Sequence, residues 1–267
     1  MAADGPVELR MHAQGGTGVY RRGVMRVVSV LVLLVTWEVA ARLAGSRLFP
    51  PASSVFRAMV QLSRSGQLPL NLAITLKRVA LAFLVSMVLG SALGLAMGLW
   101  RWLDLLLDSW LTMLLNLPAL VIIVLIYVWF GLSDTSAIIA VALNKLPTTA
   151  VTLREGARTI DHDLLDMAKS FHMRRWPVLR HVILPQLYPY MFAAARAGLA
   201  LIWKIVLVVE LLGRSNGVGF ELQVYFQLFD VTDILAYTLA FILVVQAIEW
   251  CVLQPLERRL GSWRTSH

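Results

Sequence analysis

Leu76-Lys77-Arg78-Val79-Ala80-Leu81-Ala82-Phe83-Leu84-Val85-Ser86-Met87-Val88-Leu89-Gly90-Ser91-Ala92-Leu93-Gly94-Leu95-Ala96-Met97-Gly98-Leu99 decides in which solvent this chain folds. Beyond Arg78 the stretch holds no charged residue. A run of about eighteen apolar residues is long enough to cross a bilayer as a helix. Ser86, Gly90, Gly94 and Gly98 recur every fourth residue, so they line one side of that helix. Small residues in such a stripe let two helix backbones approach closely in lipid, where apolar surfaces have no hydrophobic drive to associate.

Outward from this stretch the pattern repeats. The 267-residue chain is 58% hydrophobic and only 15% charged, against roughly 45–50% and about 25% for an average soluble domain. Five further spans are expected, at about 27–44, 105–130, 135–153, 190–212 and 234–253. The first follows Arg21, Arg22 and Arg26. A basic flank before an apolar run also describes a signal peptide. The length of the run, Glu38 near its end and the long polar tail before it favour an uncleaved span. The expected division is a cytosolic tail 1–23, a transmembrane domain 24–254 and a cytosolic tail 255–267. After Pro50 and Pro51, a short amphipathic helix is expected at 55–62, with Phe56, Met59 and Val60 on one side. Pro118 interrupts the third span, with Asn116 just before it, and the fourth holds Asn144, Lys145 and Pro147. Phe220–Phe229 reads as an interfacial or re-entrant segment.

Residues 154–190 break the pattern with Arg154, Glu155, Arg158, Asp161, Asp163, Asp166, Lys169, Arg174, Arg175 and Arg180. Leu164, Leu165, Ala168 and Phe171 keep helical spacing inside this loop. Trp176, Leu179, Val182 and Ile183 form a second apolar series ending at Pro185, so two short flat helices are expected. Six spans put both termini on one side. That side collects Arg10, Arg21, Arg22, Arg26, Arg101, six basic residues of the loop, Arg258, Arg259 and Arg264. The other side has Arg47, Arg57, Arg64 and Arg214, with Lys77 and Arg78 at the margin. The basic-rich side is cytosolic by the positive-inside rule. The net charge of +8 is thereby explained by orientation, and nucleic acid is not an expected partner. The single cysteine, Cys251, excludes an internal disulfide.

Asp166-Met167-Ala168-Lys169-Ser170-Phe171-His172, followed by Val182-Ile183-Leu184-Pro185, resembles the EAA loop of ABC-transporter permeases. Asp166 stands at the acidic position, Ala168 at the second alanine, and Leu184-Pro185 at the end. Leu48-Phe49-Pro50-Pro51, the glycine ladder, Trp129-Phe130-Gly131, Trp203-Lys204, Glu210-Leu211-Leu212-Gly213 and Leu256-Glu257-Arg258-Arg259-Leu260 are similar to the nitrate, sulfonate, taurine and bicarbonate branch. Met167 replaces the first alanine of the pattern. His172 replaces a glycine suited to positive φ, a conformation histidine adopts with some strain.

The resemblance implies an all-α polytopic membrane protein of about six transmembrane helices, with the type I ABC importer permease fold. It implies a bacterial inner-membrane location and an ATP-driven importer for a small solute, an anion by branch. A cytosolic ABC ATPase dimer would grip the loop through Asp163, Leu165, Asp166, Ala168, Phe171, His172, Leu184 and Pro185. The other implied partners are an extracytoplasmic solute-binding protein, a second permease copy and membrane lipid. No cofactor is expected on this chain; ATP and Mg belong to the ATPase. The sequence indeed has no Gly-x-x-x-x-Gly-Lys-Ser/Thr loop.

Asn116, Asn144, Lys145, Lys204 and Glu210 are candidates for the translocation pathway, because ionisable residues inside a membrane are costly and face a bundle interior or a water path. Packing contacts between spans are the competing reading for Lys204 and Glu210, and snorkelling to the interface for Lys145. His162, His172 and His181 fit no metal-ligand spacing and read as solvated. A secondary transporter driven by an ion gradient is the alternative function. It would usually show internal repeats, and none is evident. A membrane enzyme would need a catalytic cluster at one membrane face, and none stands out.

Overall fold

The computed structural model describes residues 14–253 and Pro255. All regular structure among them is helical: α1 Gln14–Ala44, α2 Ala52–Arg64, α3 Gln67–Leu99, α4 Arg101–Asn116, α5 Ala119–Phe130, α6 Asp134–Arg158, α7 His162–Ser170, α8 Arg175–Val178, α9 Leu184–Gly213, α10 Val218–Gln227 and α11 Val231–Ile248. Among the described residues four helices are long and apolar enough to cross a membrane: α3, α6, α11 with its short extension, and the continuous run from α8 through α9. The bent pair α4 and α5 counts as a fifth if taken as one broken span, against the six spans expected. The expected first span falls on α1, which begins at Gln14, inside the expected tail. The remaining residues of both expected tails lie outside the described residues.

α6 is the axis of the bundle and packs against α3, α9, α5 and α4. Its tightest seam is with the glycine ladder. A Cβ at Gly90 would lie 2.7 Å from the Thr149 Cβ, one at Gly94 would run into the Ala150 carbonyl, and one at Gly98 would strike the Ala157 Cβ. Ser86 continues the stripe and is fully buried. The ladder therefore sets how closely two backbones lie. Pro147 sits within α6 without breaking it.

Several expectations change in detail. α3 starts nine residues before Leu76, because Lys77 and Arg78 do not end the helix. The third span is not straight: α4 and α5 meet at 100°. Leu117, before Pro118, is extended at ψ 129°, as proline's clash with the preceding residue favours. α2 buries Val55 and packs Met59 and Leu62 on the core, while Phe56 is exposed. Its buried face is thus rotated from the expected one. Glu38 does not simply interrupt α1. It accepts from Ser53 N at 3.0 Å and Ser53 Oγ at 2.9 Å, at the start of α2. The segment 220–229 lies largely in α10, a short helix packed on α9 and α11.

The helix ends sort into two groups. The starts of α3, α6, α10 and α11 gather with the end of α9, while the starts of α4 and α9 gather with the end of α6. Side-chain bonds described below fix both groups. Replacing Gly94 with Leu should overpack the α3–α6 seam, at about 1–3 kcal/mol or more, whereas Ala92→Leu on the exposed face of α3 should cost far less. The expected result is a clear drop in the thermal unfolding midpoint of the detergent-solubilised protein, larger than for the Ala92 variant.

Candidate functional site

The polar loop links the two helices that pack side by side, α6 and α9. Asp161 caps α7 by accepting from Asp163 N at 2.8 Å. Its own N–H donates to Gln186 Oε1 at 2.9 Å, tying the start of α7 to α9. Leu165 and Ala168 turn inward onto Ile160, Ile183 and Leu187. Leu164, Met167 and Phe171 form an exposed apolar ridge, with Phe171 74% exposed, and Trp176 continues it. The expected single face of Leu164, Leu165, Ala168 and Phe171 is thus divided between inside and outside. Asp163 and Asp166 flank the ridge, and Lys169 Nζ lies 2.7 Å from Asp166.

α7 ends in a Schellman turn. His172 N donates to Lys169 O at 2.9 Å, and Met173 N to Ala168 O at 3.0 Å. That motif requires a left-handed residue just past the helix, and His172 supplies it with φ +50°. Histidine thus occupies the backbone state that glycine would take more easily. The second expected short helix is not separate. α8 passes through a π-turn, Leu179–Ile183, directly into α9, and Leu184 N reaches back five residues to Leu179 O. Leu184 and Pro185 therefore sit within a continuous helix rather than ending one, and the π-turn just before Pro185 shifts the hydrogen-bond register around its missing N–H.

The loop's anchoring end is ionic. Arg154 and Arg158, at the end of α6, pair with Asp104 of α4 at 3.3 and 2.6 Å, and Arg154 also pairs with Asp108. Thr159 Oγ1 donates to Tyr190 Oη at 3.0 Å.

The opposite end carries a buried polar knot. Arg78 is 3% exposed and Glu210 is 0% exposed, with Nη1 to Oε1 at 2.7 Å. Arg78 also donates to Asp134 Oδ1 at 2.6 Å, to Asn216 O at 2.9 Å and to Asn216 Oδ1. Glu210 Oε2 accepts from Thr75 Oγ1 and Gly219 N, each at 2.9 Å. Asn71 accepts from Gly217 N at 2.9 Å and donates to Glu221 at 2.9 Å. Arg214 pairs with Asp134 at 2.9 Å. Arg78 and Arg214 are therefore neutralised within the fold, which removes both from the charge count on that side. Gly217, at φ +103°, lies so close to the Glu210 carboxylate that a Cβ would sit 2.5 Å from it.

The other expected pathway residues are dispersed. Asn116 is exposed at the α4–α5 bend and bonds its own helix at Thr112 O. Asn144 is half-buried on α6. Lys145 is buried between α6 and α9 beside Gly198. Lys204 is exposed on α9, on the stripe of Ala193, Ala197, Ala200 and Val208. Glu210 is enclosed and holds Arg78. Neither ionic cluster was singled out from the sequence. Asn71, Thr75 and Arg78 do carry a signal, since their spacing of four and three puts them on one helix face. Among the described residues no group of His, Cys, Asp and Glu is placed to hold a metal ion.

The described residues thus form a helical bundle with a charged loop, an exposed apolar ridge on α7 and ionic clusters at both ends. Residues 86–251 match the family model described as binding-protein-dependent transport system inner membrane component, and the chain belongs to that family. It is 32% identical over 237 residues to the putative aliphatic sulfonates transport permease protein SsuC of Escherichia coli (strain K12), covering 88% of this chain and 90% of that one. It is 27% identical over 250 residues to the taurine transport system permease protein TauC of the same organism, covering 91% and 90%. The riboflavin transport system permease protein RibX of Chloroflexus aurantiacus is 28% identical, covering 90% of each chain. In fold it is similar to an amino acid ABC transporter crystallised with histidines, at TM-score 0.58 and 21% identity over 75% of this chain and 97% of that one. It also resembles the inward-facing MetNI methionine ABC transporter, at 0.56 and 16% over 73% and 95%. This is an ABC-transporter permease of the sulfonate and taurine branch, a multi-pass membrane protein. The ATPase of such a transporter is a separate subunit, and the permease is not itself an enzyme.

Replacing Glu210 with Met should leave Arg78 with Asp134 as its remaining counter-charge and cost up to about 3–5 kcal/mol, the range for breaking a buried pair. Arg78→Met with Glu210→Met should recover a good part of that loss. A double-mutant cycle on unfolding midpoints measures the coupling, which should be clearly non-additive.

Proposed function

We propose that two copies of this chain form the translocation path of a bacterial importer for a small sulfonate-type anion. Two cytosolic ATPases grip the α7 ridge, and an extracytoplasmic binding protein delivers the solute. Both termini face the cytosol. ATP and Mg stay on the ATPases, and ATP binding there shifts the bundle between two access states.

One observation carries this reading: the ridge Leu164, Met167 and Phe171 is exposed on a helix fastened to both α6 and α9. Exposed apolar groups on a rigid, capped helix suit a partner's groove. A helix clasped at both ends passes force to the spans it joins. The anion assignment draws on the relatives named for sulfonates and taurine. It also draws on Lys204, a cation midway along the lipid-length α9. A charge there is costly unless it faces water, solute or a partner helix. Lys204 and Asn144 are accordingly assigned to the path, with Glu210 as an anchor.

Phe171→Asp and Asp166→Lys should each abolish co-purification of the ATPase and reduce solute-stimulated ATP hydrolysis at least about tenfold. Both positions are exposed, so the unfolding midpoint should hardly move, as exposed substitutions usually fall within about 0.5 kcal/mol. Normal co-purification with both variants would contradict the reading. Uptake by this chain alone, driven by a proton or sodium gradient in liposomes, would favour an ion-coupled transporter instead.

A further inference from the structure

We propose that Lys145 is a state-dependent site for the anionic head of the solute, concealed in the conformation described here and uncovered when the coupling loop separates α6 from α9. The proposal rests on the importer reading above. Lys145 is 1% exposed, and its Nζ has no hydrogen-bond partner among the described residues. It stands near the middle of α6, about 16 Å of helix from Asp134 and about 20 Å from Arg158. Lipid headgroups lie at the membrane faces and do not reach that depth.

The helix facing Lys145 makes room for it. A Cβ at Gly198 of α9 would lie 2.8 Å from Lys145 Cε, and the Phe83 ring of α3 closes the same space. No carboxylate approaches at this level. α3 beyond Arg78, α6 between Asp134 and Glu155, and α9 before Glu210 contain neither Asp nor Glu. Glu210 lies about 18 Å further along α9 and is held by Arg78 and Thr75.

A buried amine without a hydrogen-bond partner raises the free energy of the state that buries it. Every conformation that wets or pairs it is correspondingly favoured. α6, which carries Lys145, and α9, which covers it at Gly198, are joined by residues 159–183, so displacement of that loop acts on part of the packing that hides the amine. Once the gap opens, a sulfonate-type head offers one negative charge and three acceptor oxygens to an ammonium with three donors. A motor movement would thereby become a change in affinity for the solute.

Cys251 is the only cysteine of the chain, so Cys251→Ser provides a background for Lys145→Cys. The full complex, with ATPases and binding protein in proteoliposomes, is treated with a sulfonate-bearing methanethiosulfonate reagent. Labelling is compared without nucleotide and with ATP held by a hydrolysis-deficient ATPase. The rates should differ at least about tenfold, following the population of the open state. In parallel, Lys145→Met should raise the unfolding midpoint and lower alkanesulfonate uptake at least about tenfold, since a costly buried charge is removed together with the site. Equal labelling in both states, a lowered midpoint, or uptake left intact each overturns the assignment. Uptake by the unmodified complex separates the two claims: if it is ATP-dependent while labelling is equal, only the Lys145 site fails, and if it is independent of ATP the importer reading fails.

Discussion

Arg78 and Glu210 meet where α3, α9 and the turn into α10 converge, and both are sealed from solvent. Two such charges are stable away from water only if their donors and acceptors are nearly all engaged. Here they are. Arg78 is shared among Glu210, Asp134 and Asn216, while Glu210 also takes Thr75 and Gly219 N. Four chain segments are thereby pinned to one point. Gly217 and Gly219 let the backbone come close enough to do it. The pin lies at the end of the bundle remote from the polar loop.

The opposite end is fastened differently. Arg154 and Arg158 reach across to Asp104 and Asp108; Arg154 and Asp104 are largely covered, while Arg158 and Asp108 are about half exposed, where ion pairs are weaker and screened. On the importer reading proposed above, the bundle would pivot about the end pinned by Arg78 and Glu210. The loop that carries the apolar ridge sits at the other end. Between the two lies the α6–α9 contact with Lys145 and Gly198, and beside it the glycine seam that holds α6 to α3.

Much of this was legible in the residues. The glycine ladder announced a close helix contact, and the contact is there at Thr149, Ala150 and Ala157. His172 was the departure in the loop, and it adopts the left-handed geometry that glycine would favour. What stayed hidden was pairing between distant segments. Nothing local says that Arg78 finds Glu210, 132 residues away, so Arg78 looked like a juxtamembrane charge and Glu210 like a pathway group. Pro118 signalled a break but not its 100° angle, because the angle depends on what α4 and α5 pack against. Pro185 signalled a helix end and was absorbed by a π-turn instead, since a helix can shift its hydrogen-bond register when flanking packing favours continuity.

Disulfide or bifunctional cross-linking of the assembled complex tests the central claim most directly. A single cysteine placed at Met167 or Phe171 in the Cys251→Ser chain should cross-link to the ATPase, and the yield should change with bound nucleotide. Cysteines at Leu132 and Phe229, on the knot end, should give no such product. Cross-links to the ATPase from the knot end, with none from α7, would show that the motor grips the other face and would contradict the account.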